Sequence, residues 1–121
     1  MSQTISNDFG RIVISEEAIS TAAGVAALEC YGLVGMTSRS RIKDGFIELL
    51  GRENLSRGVE IRLANDRVSI DLYIIVAYGT RISEVAQNVM EKVKYIVESF
   101  VGIPLEQVNV NVQGVRVSHG K

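Results

Sequence analysis

Apolar and polar positions along this chain recur with two different periods, and the change from one to the other marks the elements. From residue 59, Val59, Ile61 and Leu63 alternate with Glu60, Arg62 and Ala64. Val68, Ile70, Leu72, Ile74 and Val76 then alternate with Ser69, Asp71, Tyr73, Ile75 and Ala77. A period of two predicts half-buried strands. A turn at Asn65 and Asp66, residues that tolerate positive φ, pairs Ile61 with Ile70, Leu63 with Val68 and Val59 with Leu72, so each apolar residue meets an apolar partner. From Ile82 the period becomes 3.6 residues: Ile82, Val85, Ala86, Val89, Met90, Val93, Ile96, Val97, Phe100 and Val101 form one stripe of a straight amphipathic helix that lies on a sheet. Gly102 and Pro104 end it, the first as a left-handed cap and the second as a residue that cannot continue a helix. Alternation resumes with Val108, Val110 and Val112 inward and Asn109, Asn111 and Gln113 outward; the phase slips at Gly114, which predicts a bulge there.

The first half is read less sharply. A short strand at Arg11–Ile14 puts Ile12 and Ile14 on one face, and Ser15, Glu16 and Glu17 suit a helix start, by capping and by negative charge at the positive end of the helix dipole. The helix is expected over about Glu16 to Cys30, with the small-residue face Ala18, Ile19, Ala22, Ala23, Ala26 and Cys30, and Gly32 and Gly35 mark its exit. Residues 36–58 are expected to form a loop plus a small covering helix carrying Ile42, Phe46, Leu49 and Leu50. The order is β-α-(α)-β-β-α-β: a single two-layer α+β domain over residues 1–121, ordered from about 9 to 117, with the ferredoxin-like, split β-α-β arrangement and helices on one face. That face is expected to carry Ile12, Ile14, Ile61, Ile70, Ile74, Val108, Val110 and Val112. The open face is expected to present Arg62, Asp71, Tyr73, Ile75, Asn109, Asn111 and Gln113.

Composition narrows the chemistry. Apolar residues make up 46% and charged ones 22%, ordinary globular usage that excludes a disordered chain. No apolar run approaches the roughly 18 residues that span a bilayer, and the start lacks the basic and apolar regions of a signal peptide, so a cytoplasmic location without a membrane span is expected. A single cysteine, Cys30, excludes an internal disulfide. Thirteen Lys plus Arg against fourteen Asp plus Glu give a formal charge of -1, so no nucleic-acid partner is expected from bulk charge. With one histidine, His119, near the end, neither a His/Cys metal site nor a Ser-His-Asp device can be assembled convincingly, and no phosphate-cradling GxGxxG or Gly-Lys-Ser/Thr occurs. No cofactor or metal is expected, and no enzyme. Glu84, Glu91 and Glu98 recur on the polar side of the long helix, where solvation and pairing with Lys94 account for them. What remains for contact is the basic group Arg39, Arg41 and Lys43, with Arg52 and Arg57 farther on, and Tyr73 on the open face. Tyr73 stands alone where an RNA-binding sheet supplies two or three aromatics.

Four segments together are specific enough to suggest a family: Gly10-Arg11-Ile12-Val13-Ile14-Ser15-Glu16-Glu17; Glu29-Cys30-Tyr31-Gly32-Leu33-Val34-Gly35-Met36; Asp71-Leu72-Tyr73-Ile74-Ile75-Val76 running into Tyr78-Gly79; and Val108-Asn109-Val110-Asn111-Val112-Gln113-Gly114-Val115. In this order the chain resembles, over residues 9–117, the alkaline shock protein family of Gram-positive bacteria, and its lack of long charged tails resembles the family's short members. The resemblance implies a small cytoplasmic, non-enzymatic protein of cell-envelope homeostasis and envelope stress. It implies protein partners that include a small membrane-spanning protein holding some relatives at the membrane, a link of some relatives to lipid metabolism, and no catalytic residues. The matched positions suited to contact are Tyr73, Tyr78, Asn109, Asn111 and Gln113, to which the residues themselves add Arg39, Arg41, Lys43 and Arg62. Three readings stand: a self-associating interaction module, an accessory protein of fatty-acid metabolism, and a nucleic-acid binder.

Overall fold

The computed structural model describes residues 2–7, 10–38, 49–64, 67–102 and 104–117. Its elements are β1 (Ser2–Asn7), β2 (Gly10–Ser15), α1 (Glu16–Leu28), β3 (Leu33–Met36), a short 3-10 helix (Arg52–Gly58), β4 (Val59–Ala64), β5 (Arg67–Ala77), α2 (Ile82–Val101) and β6 (Gln107–Arg116). The class is the expected α+β arrangement, a sheet of β3, β4, β5 and β6 with both long helices packed on one face.

Strand β5 organises the sheet. Its even-numbered residues Val68, Ile70, Leu72, Ile74 and Val76 are buried at 0–3% exposure and form the floor on which the helices sit. Along one side it pairs antiparallel with β4, Val59 opposite Leu72, Ile61 opposite Ile70 and Leu63 opposite Val68, the register that the alternation predicts. Ala64 pairs with Arg67, which leaves two residues for the turn; these, Asn65 and Asp66, lie outside the described residues. Beyond β4 on the same side, β3 pairs with Val76, Ile75 and Ile74. Along its other side β5 runs parallel to β6, and the register shifts after Ile74–Val112 so that Ile75 pairs with Gly114. The expected bulge is there.

Helix α2 begins at Ile82 and ends at Val101, with Gly102 in the left-handed region at φ 88°. Only part of its apolar stripe is buried. Val85, Val89, Val93, Val97 and Val101 step every four residues into the core, and this ridge turns slowly around the helix, leaving Ile82 and Phe100 off it at 44% and 50% exposure. Helix α1 packs its small face, Ile19, Ala23, Ala26 and Ala27, with the core, while Ala18 faces solvent. The approach is close at Gly24, where a Cβ would stand 3.1 Å from the Leu55 Cβ of the 3-10 helix.

Three expectations are corrected. The strand containing Arg11–Ile14 is not part of the main sheet: β2 pairs antiparallel with β1 in a separate two-stranded sheet, so Ile12 and Ile14 are not on a strand that neighbours β5. Strand β3, in a stretch read as a helix exit, pairs with β5 on the β4 side, and β5 and β6 are direct parallel neighbours across the α2 crossover. The residues after Leu50 form a 3-10 helix instead of a plain loop. The small covering helix expected around Ile42 and Phe46 lies outside the described residues; Leu50 itself is buried, its N–H donating to the Met36 carbonyl at 2.8 Å.

Candidate interaction face

The side of the sheet away from the helices carries two polar rows that run across three strands. Asp71, on β5, stands opposite Glu60 of β4 and Asn109 of β6. Its carboxylate accepts a hydrogen bond from the Asn109 side-chain amide at 2.7 Å and an ion pair from the Arg62 guanidinium at 3.3 Å. The Asp71 side chain keeps 16% exposure and that of Arg62 keeps 58%, so the row is ordered at its centre and wet at its rim. Two residues along, the Tyr73 hydroxyl donates to the Glu60 carboxylate at 3.2 Å, and the Asn111 amide donates to the Leu72 carbonyl at 3.1 Å. Strand alternation forces this convergence: residues opposite one another in register point to the same face.

Five of the residues expected on this face, Arg62, Asp71, Tyr73, Asn109 and Asn111, make these contacts, and a sixth, Gln113, lies part-exposed beside the bulge. Tyr78 is not among them. It lies 76% exposed at one end of the sheet, where its N–H donates to the Arg116 carbonyl at 2.7 Å. Arg39, Arg41 and Lys43 lie outside the described residues, as does His119.

Ile75 corrects the expectation of a fully open face. It is expected there and does point there, yet its exposure is 0% and it stands apart from the helix-side core. Its strand partners are Gly35 and Gly114, and the Leu49 side chain lies 3.1 Å from where a Cβ on Gly35 would project, on this same side. The chain therefore covers the Ile75 end and leaves the Asp71–Tyr73 end accessible.

Two features escaped the sequence reading. Tyr31 is 88% exposed, and the Ala77 N–H bond to the Gly32 carbonyl at 2.8 Å sets its loop beside that of Tyr78; both tyrosines stand in the quoted segments, but nothing local joins them. The open side of β6 adjoins a shallow groove lined by Ala86, Gln87 and Met90 of α2 and by Val108, Asn109 and Val110. The glutamates of α2 are used differently from the expected pairing with Lys94. Glu98 accepts from the Leu105 N–H at 2.8 Å, Glu91 accepts from Gln87 at 2.9 Å, and the neighbouring Lys92 reaches Glu29 of α1 at 3.4 Å. Cys30 is part-buried against the core, and that burial pushes its thiol up from the ordinary value of 9.0, with Lys92 pulling the other way.

Among the described residues no group of three or more His, Cys, Asp and Glu is placed to hold a metal ion. No described helix is long and apolar enough to cross a membrane.

A two-layer α+β domain with a polar, part-open sheet face is a frame that many functions share, and comparison with known proteins narrows it. The family model of alkaline shock protein 23, described by its cell envelope-related function, matches residues 4–117, and the chain belongs to that family. It is 52% identical over 119 residues to the uncharacterized protein YloU of Bacillus subtilis, covering 98% of this chain and 99% of that one. It is 41% identical over 117 residues to the uncharacterized protein Spy1614 of Streptococcus pyogenes, covering 97% of each. Among solved structures, a doubly substituted MamM CTD superposes with a TM-score of 0.50 at 16% identity over 81% of this chain and 90% of that one, a likeness of fold alone.

Proposed function

We propose that this chain is a non-enzymatic interaction module of the cell envelope, a self-associating scaffold on the cytoplasmic side that docks a protein partner on the Asp71–Tyr73 face and serves envelope homeostasis and the response to envelope stress. The observation that carries this is the pair of polar rows. Side chains already held by Arg62–Asp71–Asn109 and Glu60–Tyr73 contacts lose little rotamer freedom on binding, which suits recognition. The carboxylates of Glu60 and Asp71 in these rows favour a protein partner over a phosphate-bearing polymer. A small membrane-spanning protein would serve as the anchor, since no described helix can supply one. The family's cell envelope-related description supports the setting.

The test places a photo-crosslinking residue at Tyr73 in cells, with Tyr95, 69% exposed on the helix side, as the control position. A protein adduct from position 73 in the membrane fraction, absent from position 95 and lost on Arg62→Glu, is expected. Equal labelling from both positions, or none from 73, overturns the assignment of the face; turnover of a small molecule by the purified chain overturns the non-enzymatic reading.

A further inference from the structure

Strand β6 pairs with β5 along one side, and among the described residues no strand pairs with the other. The Glu106 N–H donates to the Val68 carbonyl at 2.8 Å. Because backbone groups alternate in direction along a strand, the even-numbered residues up to Val112 then bond toward β5, while Gln107, Asn109, Asn111 and Gln113 turn N–H and C=O to the open side. An edge of this length normally carries a defence: a charge, a proline or a twist that spoils pairing. On the opposite side of the sheet β4 has one, with Glu60 and Arg62 in its middle. Between Gln107 and Val115, β6 has neither charge nor proline, and its bulge comes only after Val112.

The sequence of that edge reads the same in both directions. Gln107-Val108-Asn109-Val110-Asn111-Val112-Gln113 is a palindrome about Val110. We propose that β6 is the homodimer seam of this protein, pairing antiparallel with β6 of a second copy about a two-fold axis at Val110. In this register Val110 meets Val110, Asn109 meets Asn111 and Gln107 meets Gln113. The residues that turn their backbones outward are the ones that face each other, so Asn109–Asn111 and Gln107–Gln113 are the hydrogen-bonded pairs. Amides meet amides on the outer face, and valines meet valines on the helix face. The ends are complementary as well: Glu106 comes opposite Gly114 of the second copy, diagonal to that copy's Arg116. A sheet continuous through two copies results, with the α2 helices side by side over Ala86, Gln87 and Met90, closing the groove beside β6. An isologous contact of this kind closes at two copies and does not propagate. The inference rests on the self-associating part of the proposed function and supplies its geometry.

Purified full-length chain tests it. Val110 at the axis is a non-hydrogen-bonded pair, with Cα atoms about 4.5 Å apart, inside the disulfide range. In a Cys30→Ala background, mild oxidation of Val110→Cys should trap a covalent dimer. Val108→Cys should not, because its own counterpart lies roughly 13 Å along the strand at about 3.3 Å per residue, whereas an equimolar mixture of Val108→Cys and Val112→Cys should crosslink. Val110→Lys should run as a monomer in size-exclusion chromatography with light scattering, as should Val110→Glu, and mixing the two should restore the dimer by placing opposite charges across the axis. A dimer that survives Val110→Lys, or that Val108→Cys traps by itself, overturns this seam and leaves self-association intact. A wild-type monomer at every concentration overturns both, while leaving the Tyr73 crosslinking result to stand or fall by itself.

Discussion

The two faces of β5 differ in what their side chains touch, although one alternation generates both. Even-numbered residues from Val68 to Val76 lose almost all exposure under α1 and α2; odd-numbered Ser69, Asp71 and Tyr73 remain part-exposed, and Asp71 and Tyr73 bond sideways, to β6 and β4. The first face gains its stabilisation from removing apolar surface from water, which scales with area and needs no particular geometry. The second gains it from directional bonds at the edge of solvent, each small in net effect. One face therefore holds the fold and the other is free to specify a contact.

The largest effect expected on that comparison comes from the helix face. Leu72 is 0% exposed and packs in the helix-side core, so Leu72→Ala removes buried methylenes and leaves a cavity that close packing closes poorly. A loss of about 2–5 kcal/mol is expected in the denaturant midpoint at unchanged slope. A loss no greater than that of the outer-face substitutions would break the comparison.

Ile75 sharpens it next, because it points to the outer face and is buried all the same. If burial and not facing decides the energetics, Ile75→Ala should cost about 2 kcal/mol or more, in the range of core truncations. Leu49→Ala should cost less, since that residue retains 37% exposure. Comparing the two by thermal melting separates the covered end of the face from the open one; a near-neutral Ile75→Ala would mean that the cover contributes nothing.

How far the sequence revealed these features follows from how local each one is. The β4–β5 register and the bulge were readable because alternation and a phase slip at Gly114 are properties of neighbouring residues. So were the limits of α2, bounded by a change of period at one end and Gly102 at the other. The place of β2 was not, since Ile12 and Ile14 alternate equally well in a main sheet or in a separate hairpin, and Ser2–Asn7 gives little apolar signal of a partner. Strand β3 was hidden by Gly35 within it and Gly32 just before it: it is held by long-range bonds at both ends, Ala77 N–H to the Gly32 carbonyl and Thr37 N–H to the Tyr73 carbonyl at 3.0 Å. Of the candidate face, the odd-numbered residues were legible from parity, but the cover over Ile75 depends on where Leu49 returns in space.

The smallest effects belong to the polar rows, and their order tests whether the face is built for contact. Asp71→Ala removes the acceptor of the 2.7 Å Asn109 bond and leaves that amide part-buried, so a loss of about 1 kcal/mol is expected. Arg67→Ala breaks a longer contact, the 3.2 Å ion pair with Glu106, between side chains that are 70% and 39% exposed. Water and salt screen such a pair, and a change within about 0.5 kcal/mol is expected. Urea titrations at low and high salt separate the two: salt screens the Arg62 contribution to the Asp71 effect, but the part carried by the Asn109 bond should persist because that donor has no net charge, whereas the Arg67 effect should vanish. If Asp71→Ala proved as salt-sensitive and as slight as Arg67→Ala, the rows would be loose surface charges and the face would lose its claim to be pre-ordered for a partner.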